Sequence, residues 1–184
     1  MSIVTQLRNR WFALKGAKRP IPAGFMKLDY IESTGTQWID LGAKLPMNKV
    51  LTVDCEHKSA SGSIFGVSSA SAGASVNDYL IDKDLNKWNL CYNGRQNVSG
   101  ANTARHLWKC DNGTWYMDGN VVATADPLTS TSGEPCYLFC RRRLNMSFGH
   151  ISGSIYSFCC ADTLDLMPML ALPGTTYVDG NTGE

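Results

Sequence analysis

Thr114-Trp115-Tyr116-Met117-Asp118-Gly119-Asn120-Val121-Val122-Ala123-Thr124 spells out a β-hairpin. β-Branched and aromatic residues fill both arms, and Asp-Gly-Asn between them tolerates the positive φ that a tight antiparallel turn demands. Upstream, Arg105 to Cys110 forms another strand that ends at a second turn, Asp111-Asn112-Gly113. Lys87 to Asn93 alternates, with Trp88, Leu90 and Tyr92 on one face against Asn89, Cys91 and Asn93 on the other. Lys49 to His57 places Leu51, Val53 and Cys55 on one face, and Ser63 to Val67 follows a break at Ser59 to Gly62. Lys27 to Ser33 and Gln37 to Leu41 read as strands on either side of Thr34-Gly35, and Tyr137 to Arg141 and Gly153 to Cys160 complete the series. Short strands separated by Gly, Asn and Ser predict an all-β chain folded as a two-sheet antiparallel sandwich.

Composition agrees. The chain has 184 residues, enough for one domain with a real core, and is 43% apolar, 18% charged and rich in glycine. No apolar run approaches the roughly 18 residues of a membrane-spanning helix. The N-terminus lacks the basic-then-apolar order of a secretory signal, since Arg8 and Arg10 interrupt its apolar positions. Seven cysteines, an odd number, sit mostly inside apolar stretches such as Cys136-Tyr137-Leu138-Phe139-Cys140. They read as reduced packing residues in a protein assembled in a cytoplasm, without the paired spacing of a zinc site.

Net charge is +1, yet the charge is uneven. Residues 1–24 carry Arg8, Arg10, Lys15, Lys18 and Arg19 and no acid, while the remaining 12 basic and 16 acidic residues leave the body at −4. Within this arm Ile3, Val4, Leu7, Trp11, Phe12 and Leu14 recur near helical spacing, with Ser2 as N-cap and Gly16, Pro20 and Pro22 as the stop. So short an amphipathic helix persists only when docked. The expected organisation is therefore a basic helix and Pro linker over 1–24, followed by the β domain over 25–184. Leu7, Arg8, Arg10, Trp11, Phe12, Leu14 and Lys15 are the candidate partner-anchoring residues.

Tyr30-Ile31-Glu32-Ser33-Thr34-Gly35-Thr36-Gln37-Trp38-Ile39-Asp40-Leu41-Gly42 resembles the opening phrase of the concanavalin-like, laminin-G-like jelly-roll domains found in phage and gut-bacterial proteins, with Leu41 in place of the usual Thr. Trp115 to Val122, Tyr137-Leu138-Phe139 and Gly153 to Phe158 are similar to later pieces of that family, in the family's order. So are Met167-Pro168-Met169 and Gly174 to Glu184 at the end. The resemblance spans about residues 26 to 184 and implies a jelly-roll sandwich. It bears on fold more than on function, because such domains serve as carbohydrate-binding modules, fibre parts, capsid decorations and glycosidases.

Glycosidases of this fold carry carboxylates in a Glu-x-Asp-x-x-Glu pattern that alternation aims into one cleft, and no such pattern occurs here. Asp29 and Glu32 are an odd number apart and face opposite sides of a regular strand. Asp78, Asp82 and Asp84 lie in a charged stretch that reads as a turn, without the ligand spacing of a calcium loop. His57, His106 and His150 are scattered and read as sheet-surface residues. No enzyme, metal or cofactor is expected. Carbohydrate binding would use exposed aromatic faces, for which Tyr79, Trp88, Tyr92, Arg95 and Trp108 are the candidates, although a sandwich core competes for the same large rings. Arg141-Arg142-Arg143 reads as a solvated strand edge, and a near-zero net charge argues against nucleic acid as a partner.

The functional expectation is a non-enzymatic phage or prophage virion protein, a capsid decoration or tail-fibre module assembled in the bacterial host cytoplasm. The arm would hold virion proteins and the jelly roll would face outward toward cell-surface or mucin glycans, with homo-oligomerisation left open. The rival is a free-standing bacterial carbohydrate-binding protein, and a glycosidase stands third.

Overall fold

The computed structural model describes residues 25–68, 77–143, 146–166 and 168–171. The helix expected in the arm and the closing segment from Gly174 to Glu184 lie outside these residues. In chain order the first strands are β1 (Phe25–Lys27), β2 (Ile31–Thr34), β3 (Ile39–Asp40), β4 (Leu51–His57), β5 (Ser61–Ser68) and β6 (Tyr79–Asp84). Next come β7 (Lys87–Cys91), β8 (Arg95–Ser99), β9 (Arg105–Asp111), β10 (Thr114–Met117), β11 (Asn120–Thr124) and β12 (Tyr137–Leu138). The last are β13 (Arg141–Arg143), β14 (Met146–Phe148), β15 (Ser152–Cys160), β16 (Leu164–Leu166) and β17 (Met169–Ala171).

They assemble as the all-β sandwich expected. The first sheet runs β11-β10-β9-β4-β15-β16, with β2 also on β15; the second runs β14-β13-β5-β6-β7-β8, with β12 bridging β5 and β3. β1 and β17 pair separately, which brings the first and last described strands together. All pairings are antiparallel except β13 on β5. The leading hairpin forms as read, Met117 opposite Asn120, with Asp118 and Gly119 both at positive φ.

The alternation of β4, with Leu51, Val53, Cys55 and His57 buried between half-buried neighbours, aims one face into the core. Aromatic pairs cross the interior from sheet to sheet. Phe65 meets Phe158 (5.4 Å), Tyr79 meets Trp115 (6.0 Å) and Trp88 meets Trp108 (5.2 Å), each edge to face. That geometry sets the positive ring edge against the negative ring face, and each ring also removes a large area from water. At Gly66, φ is +148° and a Cβ would overlap the Leu80 Cβ, so only glycine lets β5 and β6 approach there.

Several expectations from the sequence need correction. Residues 79–84 form a strand, with Tyr79 and Ile81 in the core, and Asp78 and Asp82 are buried. The strand is buried at every position from Tyr79 to Lys83, so it lacks the alternation by which a half-buried strand is read, and its charges suggested a turn. His57 and His106 are buried rather than on the sheet surface. His106 lies between two loops, with Nδ1 2.7 Å from the Asp118 carboxylate and Nε2 2.9 Å from the Asn102 side-chain oxygen. The strand expected over 137–141 breaks at Phe139, whose φ of 62° divides it into β12 and β13.

All seven cysteines are free thiols; six are buried and Cys159 is half-buried. Burial pushes Cys91 and Cys110 up to about 11 and Cys136, Cys140 and Cys160 up to about 12. The core thus holds the neutral thiol, while an unfolded chain ionises near pH 8.5 to 9. Stability from these groups is complete below that pH and is lost as pH rises through the folded values, by at most about 1.4 kcal/mol per thiol per pH unit. Melting temperature should therefore fall steeply between pH 9 and 11, and reductant at pH 7 should leave it unchanged. In native protein at pH 8, a chromogenic disulfide reagent should reach Cys159 first, the other six reacting only on unfolding.

Candidate functional site

Trp38, Ile39 and Asp40 alternate about β3, with Ile39 packed on the core and its two neighbours exposed. Across the ladder Tyr137 is the partner of Asp40, and Leu138, the partner of Ile39, is core. The Trp38 indole consequently lies flat on the Tyr137 ring, centroids 4.4 Å apart and planes 26° from parallel. Tyr137 is buried beneath it, whereas Trp38 keeps 42% of its surface exposed. One indole face is held from behind while the residue stays exposed to solvent.

Polar groups surround this ring. The Arg142 guanidinium lies 5.4 Å from the Tyr137 ring centroid, with Nη1 3.9 Å from the Asp40 carboxylate. Asp40 is fixed from its other oxygen, which accepts the Gly42 N–H at 2.8 Å. Burial pushes the Tyr137 phenol up from its ordinary value, which favours the neutral form. A flat apolar face beside one donor group and one acceptor group suits a pyranose ring, whose C–H face stacks while its hydroxyls bond at the edge.

The residues singled out from the sequence lie elsewhere. Tyr79, Trp88, Tyr92 and Trp108 are all core rings, 0–1% exposed, and no ligand can stack on them. The Tyr92 hydroxyl is committed internally, accepting the Leu128 N–H at 3.1 Å. Arg95 alone of the five is exposed, at the start of β8. Of the Arg141-Arg142-Arg143 run, Arg141 is not a solvated edge residue: its Nη1 donates to Ser63 and Asp82, both at 3.1 Å. Arg141 and Arg143 lie 4.8 and 5.0 Å from the Phe148 ring.

Trp38 escaped the sequence reading as a site residue because it sits inside the phrase that carried the fold resemblance. The signal was present in its alternation with Ile39. That Tyr137 lies beneath it, 99 positions further on, needed the fold. Four carboxylates are matched with cations: buried Asp82 with Arg141, and at the surface Asp54 with Arg105 and Glu32 and Glu56 with Lys58. Among the described residues no group of three or more His, Cys, Asp or Glu could hold a metal ion.

No protein-family model matches the chain, and no curated protein does. Solved structures do resemble it. The CBM40 carbohydrate-binding module of the Ruminococcus gnavus IT-sialidase, bound to α2,3-sialyllactose, superposes with a TM-score of 0.54 at 13% identity. The match covers 76% of this chain and 92% of that one. Domains LG4-5 of the mouse laminin α1 chain give a TM-score of 0.45 at 12% identity, over 84% of this chain and 46% of theirs. The fold is a two-sheet antiparallel jelly roll of the concanavalin type.

Proposed function

We propose that this protein binds glycans without chemically altering them, through a sugar ring seated on the open face of Trp38. The observation that carries this is the indole held flat on buried Tyr137 with Asp40 and Arg142 at its rim. A ring ordered in advance loses little entropy when a ligand stacks on it. The likeness to a sialidase carbohydrate-binding module is consistent with such a role, on fold alone.

Trp38→Ala should weaken binding to any glycan found on an array at least tenfold, a loss of about 1.4 kcal/mol. Because Trp38 is half-exposed, the same change should lower the melting temperature by only a few degrees. An intact protein that binds no glycan on a broad array, or a Trp38→Ala variant that binds as tightly as the parent, would sink the proposal.

For its setting we propose a phage or prophage virion, the protein being a decoration or fibre module anchored by Leu7, Arg8, Arg10, Trp11, Phe12, Leu14 and Lys15. The charge asymmetry between arm and body supports this over a free-standing bacterial binding protein. Apolar contacts supply most of the anchoring, since exposed ion pairs are each worth about 0–1 kcal/mol. Deleting residues 1–24 should abolish co-sedimentation with particles and leave both the thermal transition and glycan binding nearly unchanged. An armless protein that still decorates particles would move the attachment surface to the sandwich.

A further inference from the structure

The outer face of the first sheet carries a second aromatic and charged constellation. Along β15 the register on β4 slips: Ile155 is the partner of Cys55 and Ser157 of Asp54, so Tyr156 is the extra residue of a bulge. A bulge bends its strand and re-aims a side chain. Ile31 of β2 is the partner of Ile155 on the other side, which sets Tyr30 beside Tyr156. Their rings stand 5.3 Å apart and 49° from parallel, with Tyr30 44% exposed.

From β9 the Arg105 guanidinium lies 3.6 Å over the Tyr156 ring. Asp54 on β4 grips one edge of that guanidinium, accepting Nε at 2.7 Å and Nη2 at 2.6 Å. Among the described residues nothing takes the opposite edge, with Nη1, which can donate to another acceptor. Beyond it, Lys58 donates to Glu32 at 2.7 Å and stands 3.6 Å from Glu56. Three strands and a bulge thus converge on one exposed patch, in which a stacked, pre-oriented donor lies between a carboxylate and an open tyrosine.

We infer that Tyr30, Tyr156, Arg105 and Asp54 form a second glycan subsite, which takes an uncharged pyranose. This rests on the glycan-binding role proposed above. The charge of the patch selects the ligand class: two cations face three carboxylates, so an acidic sugar is repelled, while vicinal hydroxyls find a donor in Arg105 and an acceptor in Asp54. The C–H face of the sugar lies on Tyr30. Because Trp38 belongs to the second sheet and Tyr156 to the outer face of the first, one sugar ring cannot touch both, and the domain is bivalent. Bivalence strengthens attachment to a surface dense in glycans without adding contacts at either site.

The test is a two-dimensional amide and indole NMR titration of the full-length protein. The probes are methyl glycosides of galactose, glucose and mannose, and N-acetylglucosamine. The intact protein should show two separate groups of shifted resonances, one around Trp38 and one around Tyr30 and Tyr156. Tyr30→Ala and Arg105→Lys should each erase the second group, reducing its affinity at least tenfold, and leave the first in place. Trp38→Ala should do the converse. Melting curves on each variant establish that the fold is intact, and Tyr30→Phe, which keeps the stacking face, should retain binding. Shifts confined to the Trp38 group overturn the second subsite and leave the proposed function standing. Shifts confined to the Tyr30 group uphold the subsite and overturn the Trp38 platform. No shift with any probe overturns the subsite, and no binding on the array either overturns both.

Discussion

Trp88→Ala should lower the unfolding free energy by about 3–5 kcal/mol, the usual cost of emptying a large aromatic site in a core. Trp88 is 1% exposed and forms the second-sheet half of an edge-to-face pair with Trp108. His57 and His106 stand against the same ring at 5.8 and 6.1 Å, so four aromatic groups from both sheets share the space it fills. A jelly roll cannot collapse that space without bending strands held on both sides, as β7 is by β6 and β8. For a domain this size 1 kcal/mol corresponds to roughly 2–4 °C, so the melting temperature should drop on the order of ten degrees. The indole nitrogen has no hydrogen-bond partner among the described residues, so the side chain contributes area rather than a polar tie. Trp88→Phe should therefore cost clearly less than Trp88→Ala. Should thermal denaturation show both variants melting with the parent, the ring is not a core element.

Arg141→Leu is the second large effect. The guanidinium and the Asp82 carboxylate are each only 11% exposed, and the same nitrogen also bonds Ser63, which itself donates to Asp82 at 3.0 Å. Removing the cation leaves a carboxylate in a nearly water-free site, which costs about 3–5 kcal/mol when burial is complete and falls toward the lower figure here. The pair as a whole is worth far less than its rupture, because two desolvation penalties offset the attraction. Asp82→Leu added to Arg141→Leu should thus recover most of the lost stability, and a double-mutant cycle by urea unfolding measures it. A double variant less stable than either single one would show that the pair contributes net stability.

This ion pair also marks where local sequence stopped being informative. Asp82 sits in Asp78-Tyr79-Leu80-Ile81-Asp82-Lys83-Asp84, whose charges suggest a turn when read alone. Its carboxylate is tolerable inside a strand only because Arg141, 59 positions away, arrives beside it. Likewise, Arg141-Arg142-Arg143 looked like a solvated edge until Asp82, Tyr137 and Phe148 came into contact with it.

By itself the sequence determined that the chain is a two-sheet β-sandwich, where many of its strands lie, and which residues of a strand share a face. Those properties follow from period-two alternation and turn chemistry, which act over a few residues: Trp88, Leu90 and Tyr92 share one face as read, and Asp118-Gly119 turns the hairpin. Alternation tells which rings share a face but not which faces meet. Packing one sheet on the other took Tyr79, Trp88, Tyr92 and Trp108 into the core, and the pairing of β3 with β12 put Tyr137 under Trp38. Whether an aromatic ring is a core member or a ligand platform depends on what covers it, and here the cover comes from strands far away in the chain.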